Sequence, residues 1–244
     1  MCYHKQDKAL AAALVKRYDV PLPFDYTPVH YENGFDFKSS PVITAEKPTE
    51  FQAINWGLIP WWSKSKNDAE QIRMRTLNAI SEEIYEKSSF RDSINNGKRC
   101  LIPCTGFFEW RWFNGGKTKY PYYIHLKEGK IFSIAGLYSN WVDKVSGEEI
   151  VTYSVLTTKA NELMEKIHNS KKRMPVILPM EHEKDWLNPN LTKEDVLELC
   201  QPLPNDKLEA YTISKMITDR KVEDKNVPEL FRPFEYPELA LLDS

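Results

Sequence analysis

The apolar positions of this chain recur mostly with the two-residue period of β-strands. From residue 51 onward the runs FQAINWGL, RCLI, FFEWRW, YPYYIHL, KIFSIAGLY and IVTYSVLT are rich in β-branched and aromatic side chains, and turn signals such as Asn114-Gly115-Gly116 and Ser146-Gly147 separate them. This pattern predicts a mostly antiparallel sheet. Helical spacing interrupts it. Leu10, Leu14 and Tyr18 stand four apart, which predicts a short amphipathic helix over residues 8 to 18. Ala160, Leu163, Met164 and Ile167 fall at i, i+3, i+4 and i+7 behind Thr157 and Thr158, either of which can cap a helix. A further helix is expected from Thr192, where Thr192 and Asp195 have the spacing of a capping box. Residues 20 to 48, rich in Pro, Asp, Ser and Thr, read as a long irregular loop. The expected class is α+β: a single domain over residues 1 to 244, with a strongly curved, mostly antiparallel sheet or open β-barrel at its centre and helices at the periphery.

Composition narrows the function. The 244 residues are 41% hydrophobic, enough to bury a sizeable core as one domain, and the formal net charge of -2 gives no global sign of a polyanion-binding protein. Any nucleic-acid surface must therefore be local. Four cysteines are too few for a disulfide scaffold and fit a reducing, intracellular setting. Cys100 and Cys104 lie in the apolar run RCLIPC with no second pair at zinc-ligand spacing, and Cys200 sits on a helical face, so all three read as buried structural thiols and no metal or cofactor is called for. The stretch ALAAALV between Lys8 and Lys16 is too short for a membrane span and poor as a signal peptide.

The chemistry begins at Cys2. With Met1 removed, Cys2 would carry a free α-amine and a thiol on one carbon skeleton. Such a 1,2-aminothiol condenses with an aldehyde to an imine, which the thiol closes to a five-membered thiazolidine. An ordinary α-amine pKa of ~7.7–8.0 and thiol pKa of ~8.5 leave a useful nucleophilic fraction of each at neutral pH. A second-position cysteine alone says little, because many proteins carry one without a role.

Five segments give it weight. Cys2 itself, WGLIPWW at 56 to 62, Asn78-Ala79-Ile80 followed by Glu82, RCLIPCTGFFEW at 99 to 110 and KIHNSKKRMPVIL at 166 to 178 occur in the order and at the approximate spacings of the SRAP family, the SOS-response-associated proteins. Each motif alone is weak; five in register resemble that family closely, over most of the chain from Phe51 to Leu178. The resemblance implies a protein that recognises abasic sites in single-stranded DNA and crosslinks itself to them through the terminal cysteine, shielding the lesion in the DNA damage response. It also implies a monomer without membrane association, acting in the cytoplasm at damaged nucleoid DNA. Lyase activity and autoproteolytic removal of Met1, a cysteine-type peptidase reaction, belong to the same expectation.

The residues can be asked whether they support that chemistry. Strand alternation in FFEWRW puts Phe107, Glu109 and Arg111 on one face and Phe108, Trp110 and Trp112 on the other. Aromatic surroundings favour a raised carboxyl pKa and a proton-transfer role for Glu109, although a solvated glutamate paired with Arg111 is the bland alternative. His168 ends a predicted helix, where a histidine commonly just meets the helix dipole; an imidazole can also pass a proton as the sugar ring opens, and the resemblance makes it the family's active-site histidine. Asn78 can cap a helix or, with a donor and an acceptor, orient a terminal amine; the orienting role is favoured. Phosphate and base contacts are expected from Trp61, Trp62, Arg73, Arg75, Trp110, Thr157, Lys171, Lys172 and Arg173, where aromatics and cations interleave. Trp56, inside a strand, reads as core.

Three departures from the family stand out. Its members usually begin Met-Cys-Gly-Arg, where this chain has Tyr3 and His4; Asn-Ala-Arg becomes Asn-Ala-Ile, so that Ile80 cannot make the phosphate contact of that arginine, for which Arg73 or Arg75 can compensate; and four residues separate His168 from Arg173 where one is common, Ser170 to Lys172 forming an insertion. Two other classes stay open. A cysteine peptidase or N-terminal-nucleophile hydrolase predicts peptide turnover with no lasting DNA adduct. A non-covalent reader of modified single-stranded DNA predicts binding indifferent to Cys2→Ala.

Overall fold

Residues 2–240 are described by a computed structural model of the chain. Thirteen strands run in order through the described residues: β1 (His4–Asp7), β2 (Val29–Asn33), β3 (Ser39–Thr44), β4 (Gln52–Trp56), β5 (Asn78–Ile80), β6 (Arg99–Cys104), β7 (Gly106–Phe113), β8 (Thr118–Leu126), β9 (Phe132–Val142), β10 (Glu149–Lys159), β11 (Arg173–Pro175), β12 (Ile177–Leu178) and β13 (Leu208–Thr212). The helices that matter here are α1 (Ala11–Tyr18), α2 (Lys66–Arg73), α3 (Ser88–Asn95), α4 (Glu162–Ile167), α5 (Glu183–Trp186) and α6 (Lys193–Leu199).

Five strands close into a ring in the order β10-β4-β3-β6-β9, because β9 pairs back onto β10 over seven residue pairs. Four of its pairings are antiparallel, and β4 with β10 is parallel. The α+β class with a curved, mostly antiparallel centre is what the pattern predicted, and the barrel is closed. Its interior is filled by stacked Trp56 and Tyr153, whose ring centroids lie 6.0 Å apart, and by Ile54, Ile102, Ile134 and Val155. Gly136 on β9 is where the wall is tightest: a Cβ there would meet Ile102 Cδ1 at 2.6 Å, Cys100 Sγ at 2.8 Å and the Ser154 carbonyl at 2.9 Å. Only glycine permits that approach.

A second sheet, ordered β13-β8-β7-β1-β2, leans on the ring and is antiparallel throughout. Its middle strand is β7. Strand β1, paired to β7, follows directly on Cys2 and Tyr3, which positions the candidate chemistry.

Two expectations are corrected. The stretch 20 to 48 is not an irregular loop throughout, since it contains β2 and β3. Five consecutive residues of β3 are buried, so it lacks two-residue alternation, and Pro41 within it argues against a strand by local rules. In β2 the buried residue is Glu32, a side chain that single-sequence reading assigns to solvent. Thr157 and Thr158 do not cap a helix: both lie within β10, and the side chain of Asn161 caps α4 instead, accepting from the Met164 N–H. The helix over 8 to 18 forms from Ala11, with Leu14 buried and Leu10 exposed, and the capping box of Thr192 and Asp195 is present at α6.

Glu32 is tolerated because Lys5 donates to it at 2.6 Å and Ser40 donates to its other oxygen at 2.8 Å, in a buried network that also touches the Tyr153 hydroxyl. Removing one partner of such a pair leaves an uncompensated charge and costs about 3–5 kcal/mol, whereas neutralising both costs far less. Lys5→Met is therefore expected to lower unfolding free energy by about that amount in urea titrations, and adding Glu32→Gln to restore much of it; equal stability of the single variant and wild type would contradict this.

Candidate functional site

Strand β7 divides two cores. Phe107 packs in the cluster that contains Cys2, Phe132, Ile134 and Met164, whereas Phe108 and Trp110 pack with Tyr123, Ile213 and Ile217. Glu109 shares the Phe107 face by alternation, hence the Cys2 side. Lys5 lies opposite Phe107 and Gln6 opposite Gly106; the same antiparallel register continued by two residues brings Tyr3 level with Glu109. Burial here is deep. Glu109 is 4% exposed, so it is not the solvated glutamate of the bland alternative.

His168 is the C-terminal cap of α4, and its backbone N–H donates to the Met164 carbonyl. Its Nδ1 lies 2.8 Å from the Arg173 carbonyl oxygen, which can only accept, so Nδ1 carries the proton in the neutral ring. The lone pair then sits on Nε2, 3.8 Å from Glu109 Oε2. Burial pushes the two groups in opposite senses: the Glu109 carboxyl rises from 4.5 to about 7, and the His168 imidazole falls from 6.5 to about 4. Near neutrality His168 is thus a neutral base and Glu109 is divided between acid and carboxylate.

Asn78 opens β5, which lies parallel to β10 with Asn78 opposite Val155. Its neighbours Leu77 and Val155 share the cluster that holds Cys2. The side chain is buried, and neither its amide nitrogen nor its oxygen has a hydrogen-bond partner among the described residues. A buried amide left open on both sides is costly unless something arrives to meet it.

Cys2 departs from expectation. It is 0% exposed in the chain that still carries Met1, and burial pushes its thiol far above the ordinary range, so that thiol is protonated and shielded rather than partly ionised. Its Sγ lies 3.7 Å from the His4 carbonyl oxygen.

A cleft of about 770 Å³ is lined by Tyr3, His4, Glu109, Trp110 and His168. Lys171 reaches it, and Trp110 meets the edge of the His4 ring at 4.9 Å. Trp61 and Trp62 line a different cleft with Ser88 and Arg91; Trp61 is 57% exposed, and the Trp62 indole donates to the Ser88 carbonyl. Arg73 is turned inward, donating to the Trp56 carbonyl at 3.0 Å and lying 4.0 Å from the Phe37 ring, so it does not stand in for the arginine that Ile80 replaces; Arg75 is exposed. Arg173 is held by Glu82 through two 2.8 Å hydrogen bonds and donates to the Thr157 carbonyl. Thr157 itself is fully buried, so it supports Arg173 from behind rather than facing solvent. Lys171 and Lys172 are exposed. Trp56 is core, as read.

Sequence reasoning missed the aromatic stack of His4 on Tyr31, with His4 Nδ1 2.8 Å from the Tyr31 hydroxyl. It also gave no role to Trp112, Lys117 and Lys119, although strand alternation had placed Trp112 on the Trp110 face.

Comparison with known proteins agrees with this architecture. The abasic site processing protein YoqW of Bacillus subtilis (strain 168) is 44% identical over 178 residues, 72% of this chain and 74% of that protein. The abasic site processing protein HMCES of Gallus gallus is 28% identical over 196 residues, 68% of this chain and 56% of that one. A crystal structure of a protein from Bacteroides thetaiotaomicron superposes with a TM-score of 0.88 at 40% identity, covering 96% of this chain and all of that one. The profile of the SOS response associated peptidase (SRAP) family matches residues 1–220. With a match of that extent, the chain belongs to the SRAP family.

Proposed function

We propose that this protein processes abasic sites in single-stranded DNA by forming a covalent thiazolidine adduct through Cys2 once Met1 has been removed. Family membership and the names of the relatives support abasic-site processing. The observation that carries the finer reading is the buried Glu109–His168 pair, 3.8 Å apart beside the first residues of the chain, where burial favours the neutral form of each group.

An abasic deoxyribose is mostly a closed hemiacetal. Opening it needs a proton removed from the anomeric hydroxyl and one delivered to the ring oxygen, and the neutral Nε2 of His168 and the protonated fraction of Glu109 suit those two transfers. The Cys2 amine then adds to the aldehyde carbon; the carbinolamine loses its oxygen as water, taking a proton from Glu109, and the iminium so formed returns its N–H proton to the Glu109 carboxylate and leaves an imine. Finally the thiol sulfur bonds to the imine carbon while its proton passes to the nitrogen, which closes the ring. The sum is one aldehyde plus one aminothiol giving one thiazolidine and one water. Asn78 offers an acceptor and a donor to hold the amine in line.

Burial of Cys2 sets a condition. Cutting the Met1–Cys2 bond creates an amine that is largely cationic near neutrality, and such a charge is costly to keep dehydrated unless it meets a counter-charge. The Glu109 carboxylate at the cleft is such a counter-charge, and the reading requires that cleavage open the aminothiol towards it.

A strand with one natural abasic site is expected to give a species that survives denaturation, whereas a tetrahydrofuran analogue, which has no masked aldehyde, and an undamaged strand give none. Binding of all three without any surviving species would favour a non-covalent reader and refute this proposal.

A further inference from the structure

The wall of the cleft away from Glu109 is built for a different task. The hairpin from β7 to β8 turns through Asn114-Gly115-Gly116 and presents Trp112, 41% exposed, with the Lys119 ammonium 4.4 Å from its ring. Gly116, at φ +86, lies against that ring: a Cβ there would stand 2.6 Å from Trp112 Cε3. The indole is thus laid down on the hairpin and held in place while one part stays open. Asn169 fixes the same residue from the opposite side, accepting from the Trp112 N–H at 2.9 Å and donating to its carbonyl at 2.8 Å. That double bond of side chain to backbone imitates a strand pair and ties the inserted loop, with Lys171, to the cleft wall.

Charge completes the picture. Lys117, Lys119, Lys171 and Lys215 all line this cleft, and Glu109 is the one carboxylate among its lining residues. Four lysines lining one cleft with a fixed indole, Lys119 on that indole and Lys215 over the Tyr120 and Tyr236 rings, make a local cationic surface in a chain of net charge -2. An acidic peptide would use the charges but leave the flat ring without a partner; a single-stranded nucleic acid uses both, phosphates on the lysines and a base on the indole.

We propose that the β7–β8 hairpin, with Trp112, Lys117 and Lys119 and the Lys171 and Lys215 that line the same cleft, seats the stretch of single strand flanking the abasic nucleotide on one side, independently of its base sequence. This rests on the function proposed above and extends it to residues that the chemistry does not use.

The test uses the full-length chain carrying Cys2→Ala as a crosslink-dead parent, and anisotropy of a labelled single strand bearing a tetrahydrofuran site, over a salt series. Each lost phosphate contact on a single strand flattens the slope of log K against log salt by about 0.7. Lys117→Ala/Lys119→Ala/Lys215→Ala is expected to flatten it by about 2 and to weaken binding at low salt at least tenfold. Trp112→Ala is expected to weaken binding roughly 5- to 150-fold with the slope unchanged, as loss of one stacked base requires. Unchanged melting would place these effects in the complex. A triple variant that matches its parent in affinity and slope, while the natural chain still crosslinks, overturns the hairpin assignment alone. A parent that binds no DNA, from a natural chain that forms no adduct, removes the function on which it rests and the assignment with it. Equal displacement of the strand by a polyglutamate peptide at matched charge would also overturn it.

Discussion

Cys2→Ala is expected to abolish the adduct that survives denaturation, while an imine trapped by borohydride persists. The two results separate the two nucleophiles. With Met1 removed, by an added aminopeptidase where the variant does not process itself, alanine at position 2 still presents an α-amine, so condensation with the aldehyde can proceed to the imine. What is lost is the sulfur that closes the ring, and an imine left open hydrolyses. A chain in which Met1 is retained is expected to fail in the complementary way: its thiol can form only a reversible hemithioacetal, and no imine is available at that residue. The structure adds a requirement to this chemistry, because Cys2 is fully buried in the chain that carries Met1. A thiol-reactive reagent should therefore label Cys2 slowly in the Met1-retaining protein and much faster after processing. Equal labelling would mean that processing opens nothing, and the proposed route to the lesion would fail.

Glu109→Gln is expected to do two things of opposite sign. It should slow adduct formation by roughly 10²–10⁴, the usual worth of a positioned acid or base, and it should stabilise the fold at alkaline pH. Burial raises the Glu109 carboxyl from 4.5 to about 7, so the folded chain holds this proton more tightly than the unfolded chain. The resulting stability is fully present below pH 4.5 and is lost as the pH rises through about 7, a loss of about 3 kcal/mol. Glutamine has no such proton, so this loss should be absent from the variant. His168, lowered from 6.5 to about 4, works the other way: its contribution is present above pH 6.5 and is lost as the pH falls through about 4. Urea titrations at pH 5 and pH 8 measure the first effect, and single-turnover crosslinking the second. A Glu109→Gln protein that is less stable at pH 8 and reacts at the natural rate would make Glu109 an ordinary structural residue.

How much of this was legible in the sequence depends on which physical signal each residue leaves. The long strands β7 to β10 were read correctly because aromatic and β-branched residues are frequent in them and glycine turns punctuate them. Glu109 was placed on the right face by two-residue alternation alone. By contrast β1, HKQD, and β2, VHYEN, carry charged residues that are buried only because Lys5, Glu32 and Ser40 satisfy one another across 27 and 8 positions of sequence. No local pattern announces a buried ion pair. The inward turn of Arg73 is hidden for the same reason, since its partners, the Trp56 carbonyl and the Phe37 ring, are remote in the chain. Asn169 went unnoticed because a side chain that imitates a strand has no period at all.

The terminal residue was legible as chemistry and illegible as environment. Its amine and thiol follow from covalent structure, but burial inverts the simple expectation of a partly ionised thiol. The same burial raises Glu109 and lowers His168, so one physical cause shields the nucleophile and prepares its acid and base.

The most direct measurement is peptide mass spectrometry of the adduct formed with an abasic single strand, without reductant. The account predicts a single modified peptide that begins at Cys2, lacks Met1 and exceeds the free peptide by the mass of the sugar remnant less one water. A remnant on a lysine, or on a peptide that still begins with Met1, would contradict it.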